Sequence, residues 1–268
     1  MIATDFEYDG EYLKNKNCVI CYTDSKSGFE SIDNISQRTF DTLTQFNGKK
    51  FALTTSYYED RIEITFQICK DMCIYNKMTA FTPYEVRDFK RWLNRPSYHK
   101  FKLIQADWSN YYMDGSFNVK ELQMQGKTYV LELTFVSDAP MAKHEPITNG
   151  CTITDPQKEH FTFIDISDEI GNIYPDITIE CLNDGDLDIY NEKQDRHTIF
   201  KNCTEGEIIT ISKDLVITTS LSSHKIQNDF NYKFITLSNT YKSRINRFTF
   251  SIPVKIKIQY SPYIKVVI

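Results

Sequence analysis

Between residues 161 and 260 the chain carries nine short apolar runs, at 161–166, 177–182, 187–190, 197–200, 207–212, 215–219, 234–237, 247–251 and 254–260. Alternation of apolar and polar residues buries one face of a strand, and short runs at such regular spacing predict a β-sandwich or barrel. No helical period interrupts them. Asp184-Gly185 has the composition of a type I′ turn, and Pro253, which has no amide to donate, is expected at an edge, a strand start or a bulge.

The first half reads differently. In 61–69, Ile62, Ile64, Phe66 and Ile68 point one way while Glu63, Thr65 and Gln67 point the other, which predicts a half-buried strand. A helix is expected over 82–93. Thr82 can cap it, Pro83 suits its first position, and Glu85 can complete a capping box. Val86, Phe89 and Leu93 form its apolar stripe, widened by Trp92. Runs at 117–122 and 128–136 flank Gln125-Gly126-Lys127 and predict an antiparallel pair, and Asn47-Gly48 is a further turn signal. Residues 138–156 contain Pro140, Pro146, Asn149-Gly150 and Pro156 with little periodicity. The expected division is therefore a first domain over 1–140, a linker over 141–153 and a second domain over 154–268.

Charge and composition narrow the function classes. A formal net charge of −5, with cations mixed among acids, gives no broad positive field, so no direct sequence-specific nucleic-acid partner is expected. The basic stretch Arg87, Lys90, Arg91 and Arg95 reads as a solvated helix face or a subunit interface. No run approaches the roughly 18 apolar residues of a membrane-spanning helix, and no secretory signal is expected where Asp5, Glu7 and Asp9 follow so closely on Met1. Seven cysteines make an odd set, expected mostly as free thiols, and neither Cys18 with Cys21 nor Cys69 with Cys73 has the second ligand pair that zinc needs. Asp184, Asp186 and Asp188 alternate as calcium ligands might be arranged, but the glycine and closing glutamate of a calcium loop are missing. The five histidines are scattered, and Asp165, Asp168 and Glu169 read as an acidic turn. No metal, cofactor or catalytic residue is expected.

Two sets of segments carry a family resemblance. The first is Thr82-Pro-Tyr-Glu-Val-Arg-Asp-Phe-Lys-Arg-Trp-Leu93, then Tyr111-Tyr112, then Leu131-Glu-Leu-Thr-Phe-Val-Ser-Asp-Ala-Pro140. The second is Asp184-Gly-Asp-Leu-Asp-Ile-Tyr-Asn191, Asn202-Cys-Thr-Glu-Gly-Glu-Ile-Ile-Thr-Ile211, Asn228-Asp-Phe-Asn231 and Ile258-Gln-Tyr-Ser-Pro262. In this order they resemble the distal tail proteins of bacteriophages with long non-contractile tails and of related prophages. The resemblance implies a mainly β fold, with an N-terminal tail-tube-like β domain carrying one helix and a C-terminal galectin-like β-sandwich. It implies a structural hub at the virion tail tip, synthesised in the host bacterial cytoplasm. The implied partners are five further copies in a homohexameric ring, a tail tube protein, a tail-tip or tail-associated protein and a receptor-binding protein. Glu85, Arg91 and Trp92 are the interface candidates; Asn228, Phe230 and Asn231 are candidates for a structural turn-and-core motif. The alternative is a β-sandwich carbohydrate-binding module contributing to host-surface recognition, which an exposed aromatic platform bordered by fixed polar groups would support.

Overall fold

The computed structural model describes residues 3–21, 38–43, 53–58, 61–240 and 242–265. They divide into two compact units, residues 1–143 with 264–268 and residues 144–263. The turn signal at Asn47-Gly48 lies outside the described residues.

The first unit holds β1 (Asp5–Tyr8), β2 (Glu11–Tyr12), β3 (Cys18–Cys21), β4 (Arg38–Leu43), β5 (Leu53–Tyr58), β6 (Glu63–Lys70), β7 (His99–Ile104), β8 (Tyr111–Met124) and β9 (Lys127–Ser137), with helices α1 (Met72–Tyr75) and α2 (Pro83–Leu93). The main sheet runs β2-β1-β7-β8-β9-β6-β3, and β4 and β5 pair only with each other among the described strands. Phe6 on β1 and Phe66 on β6 stand four places apart in that order, yet their rings meet at 5.5 Å. At about 4.8 Å per strand a flat sheet would hold them roughly 19 Å apart. The sheet is therefore curled round one core, into which Phe101, Phe117 and Phe135 also project. Within β6 the alternation expected from the sequence places Ile64, Phe66 and Ile68 in the core.

The chain crosses between units in the neighbourhood of β10 (Ala142–His144). The stretch 141–153, expected as a linker, is instead largely strand. Residues 147–153 form β11 (Ile147–Ile153), paired along its whole length with β21 (Val254–Tyr260). Asn149-Gly150 makes no turn because it is paired in this ladder, and a Cβ at Gly150 would stand 2.5 Å from the Ile256 carbonyl oxygen. The glycine serves close approach of two backbones.

The second unit continues with β12 (Phe161–Ile164), β13 (Gly171–Ile173), β14 (Asp176–Cys181), β15 (Gly185–Asn191), β16 (Arg196–Cys203), β17 (Ile208–Ile211), β18 (Ile217–Thr219), β19 (Leu237–Asn239) and β20 (Ile245–Phe250). One sheet has the order β11-β21-β14-β17-β18 and the other β12-β20-β15-β16. Ile177, Ile179, Ile209, Ile256 and Ile258 of the first share a single core with Phe163, Leu187, Ile189, Phe200 and Phe248 of the second, which makes the unit a β-sandwich. Pro253 directly precedes β21, where no ladder donor is needed. Two expectations fail. Asp184-Gly185 is not a type I′ turn: only Gly185 has positive φ (142°), and the chain there passes from β14 in one sheet to β15 in the other. A short helix, α3 (Ile226–Asp229), also interrupts the strands, burying only Ile226.

Candidate functional site

Helix α2 is fixed at its start by the reciprocal bonds its sequence predicts. The Glu85 amide donates to Thr82 Oγ1 at 3.3 Å, and Glu85 Oε2 accepts from the Thr82 amide at 2.7 Å. The same carboxylate binds the buried Lys70 ammonium at 2.6 and 2.8 Å. Burial opposes ionisation of Glu85, but the Lys70 and Thr82 hydrogen bonds outweigh it and hold the carboxyl below its usual range. Trp92 faces inward, only 6% exposed, with its ring stacked on Phe6 and its indole Nε1–H donating to the Tyr8 carbonyl at 3.1 Å. Of the three interface candidates, Glu85 and Trp92 are thus occupied inside the unit. Arg91 projects outward with a side chain 74% exposed, 3.8 Å from Asp88.

Arg91 borders an open groove of about 990 Å³ between α2 and the β8–β9 hairpin. Ala80, Phe81, Pro83 and Val86 supply an apolar lining, and Arg87, Lys90, Arg91 and Lys127 supply cations. Lys90 is neutralised by Glu121 at 2.7 Å, and this bond, with one from Thr128, lowers the Glu121 carboxyl. Arg87 and Lys127 have no ion-pair partner among the described residues. Tyr84 and Met124, 79% and 55% exposed, add apolar surface on the same two elements. Apolar area with unneutralised charge suits a protein partner offering aliphatic and acidic groups.

In the second unit two of the three motif candidates, Phe230 and Asn231, are held by neighbouring residues. Phe230 is buried, stacked on Phe200 at 4.8 Å. Asn231 donates from Nδ2 to the His197 carbonyl at 3.0 Å and accepts from the Lys233 amide at 3.1 Å. Asn228 is exposed on α3. The acidic residues disperse: Asp184 accepts from the Glu205 amide, Asp186 from the Asn202 amide, and Asp188 pairs with His197. Asp165 is fully buried and accepts from the Ser167 amide, the Ser167 hydroxyl and Tyr260. Cys18 and Cys21 lie on opposite faces of β3, the first buried and the second half-buried.

One constellation has no local signature in the sequence. Glu207, fully buried, accepts from Thr219 Oγ1, from the Thr204 amide at 3.1 Å and from His224 Nδ1 at 2.6 Å, while His224 Nε2 lies 3.3 Å from Asp229. Burial works against both charges, but the Thr219 and His224 hydrogen bonds outweigh it and lower the Glu207 carboxyl, and the bond to Glu207 raises the His224 imidazole. On the outer face of β15 and β16 the rings of Tyr190 and His197 stack at 4.6 Å, with the Tyr190 hydroxyl on Asp195 at 3.1 Å and His197 on Asp188 at 2.8 Å.

Residues 1–139 match the family model described as phage tail protein N-terminal domain, and residues 148–260 match the phage tail C-terminal domain. The chain belongs to this phage tail protein family. Among solved structures, this phage tail protein is similar to the Dit protein (gp 19.1) of SPP1, described as "a Paradigm of Hub Adsorption Apparatus in Gram-positive Infecting Phages". The likeness has a TM-score of 0.66 at 11% identity and spans 97% of this chain and 99% of the other. The phage tail protein thus has the distal-tail-protein fold over both units. No curated protein sequence matches it. Among the described residues no helix is long and apolar enough to cross a membrane.

Proposed function

We propose that this phage tail protein is the distal tail hub of its virion, a non-catalytic ring of six copies that joins the tail tube to the tail-tip or receptor-binding apparatus. The observation that carries the reading is a single fold likeness running end to end through both units, combined with family membership established separately for each of them. A closed ring presents the same surfaces six times, so a partner engages several subunits at once. Such a ring is heterologous, each copy using two different faces, and the Arg87–Arg91–Lys127 groove supplies one of them. The protein is made in the host bacterial cytoplasm and ends at the tail tip. Mass measurement in solution, combined with particle imaging, tests the ring. A sixfold particle is expected; a monomer that persists at all assembly-compatible concentrations and salts, with no binding to the tail tube protein, would count against it.

A second reading, recognition of a host-surface saccharide by the sandwich, draws support from the stacked Tyr190 and His197 rings held by Asp195 and Asp188. Titration with host cell-wall glycans tests it, with Tyr190→Ala expected to abolish any binding.

A further inference from the structure

Cys181 ends β14 in the five-stranded sheet, and Cys203 ends β16 in the four-stranded sheet. Both side chains enter the core between the sheets, 0% and 3% exposed. The backbone brings the two positions together: the Cys181 amide donates to the Glu207 carbonyl at 2.9 Å, and the Gly206 amide donates to the Cys181 carbonyl at 2.8 Å. Cys181 is thereby clamped to the turn that directly follows Cys203. The Cys203 thiol donates to the Phe200 carbonyl at 3.6 Å, which leaves its sulfur free to face Cys181; the closeness of the two sulfurs, with burial, pushes the Cys181 thiol up, and the same closeness lowers Cys203. A thiol paired with another thiol across two sheets does nothing for either sheet's ladder.

We infer that Cys181 and Cys203 are a disulfide site, closing into a covalent staple between the two sheets of the sandwich when the protein meets a small disulfide oxidant such as oxidised glutathione. The chemistry balances within that reaction. The Cys203 thiolate attacks one sulfur of the oxidant, forming a mixed disulfide, and the displaced thiolate takes up the proton that Cys203 gave up. Cys181 then loses its proton and attacks the Cys203 sulfur, which expels the second small thiol. Two protein thiols are oxidised to one disulfide, and one oxidant disulfide is reduced to two thiols. Both sulfurs are buried, so the reaction waits on local opening of the 203–207 turn and is slow.

A competing pair, Cys21 and Cys69, is less suited. In the β3–β6 ladder Cys21 stands opposite Gln67 and Cys69 opposite Val19. Diagonal neighbours of this kind have Cβ atoms somewhat under about 7–8 Å apart, whereas a disulfide needs about 3.5–4.5 Å. The staple closes the 182–202 segment into a loop and restricts the unfolded chain, so the oxidised protein melts several degrees higher. The inference rests on the packing of the second unit alone and stands or falls separately from the hub reading.

The test uses the full chain, incubated with reduced or with oxidised glutathione in buffer and in a urea concentration below the unfolding transition, then denatured, alkylated and mapped by peptide mass. The expected result is a reversible Cys181–Cys203 crosslink in the oxidised samples, formed faster in urea, with a raised Tm that dithiothreitol removes. Cys203→Ala, checked by circular dichroism for an intact β signature, is expected to lose both the crosslink and the Tm rise. Full alkylation of both cysteines after prolonged oxidation, in urea as well as in buffer, overturns the inference. So does oxidation that links Cys21 to Cys69 while Cys181 and Cys203 stay free.

Discussion

Glu85 serves two neighbours at once: it closes the cap of α2 with Thr82 and neutralises Lys70, and so fixes the helix to the end of β6. Replacing Glu85 by Gln leaves the Lys70 charge, 7% exposed, without its counter-ion. The expected cost is about 1–3 kcal/mol, read from urea unfolding of the isolated protein. Arg91 behaves in the opposite way. Because its side chain touches little within its own subunit, Arg91→Glu is expected to shift monomer stability by less than about 0.5 kcal/mol, while weakening assembly as followed by native mass spectrometry. If Arg91→Glu rings form with wild-type affinity, the α2 groove is not the subunit contact. The buried pair of Glu207 and His224 makes stability depend on pH from both sides. A lowered carboxyl contributes stability that is present above its unfolded range and is lost as pH falls through the folded value; a raised imidazole contributes stability that is full below its unfolded value, near 6.5, and is lost as pH rises through the folded one. The pair therefore stabilises most in the mildly acidic window between those limits, and Glu207→Gln is expected to flatten a Tm-against-pH curve there.

At the scale of elements, what was legible in the sequence was local. Thr82, Pro83 and Glu85 specify the start of α2 through bonds spanning three residues, and the observed helix keeps those bonds. Thr82→Ala is expected to cost about 1 kcal/mol, measurable by denaturant unfolding. The alternation in 128–136 likewise specifies β9, because one face of that strand is buried by the sheet curling over it. The errors arose where distant chain decides. Asn149-Gly150 has the composition of a turn, yet it lies in a ladder with β21, more than a hundred residues downstream in sequence. Gly150→Ala would drive a Cβ into the Ile256 carbonyl, so it is expected to destabilise by more than about 1 kcal/mol although alanine suits a strand no worse than glycine. Asp184-Gly185 failed for a related reason, since the chain there changes sheets. Of the interface candidates, Trp92 belongs by spacing to the stripe of Val86, Phe89 and Leu93, and that spacing already pointed inward. The pairing of Glu207 with His224 and of Cys181 with Cys203 had no sequence signal, because each depends on how two sheets and a loop pack.

At the scale of the whole molecule, two β units of different construction share one chain, a curled sheet with a capped helix and a two-sheet sandwich. The first has the groove with spare cations, and the second has a closed core stitched by buried polar groups. This division suits a hub in which the first unit forms the ring and the second stands where tip proteins attach. The most direct test is electron microscopy of purified tails carrying a gold-labelled tag on this protein. The account predicts six labels arranged in a single ring at the junction of tube and tip. Labels distributed along the tube, or absent from assembled tails that still carry a complete tip, would contradict it.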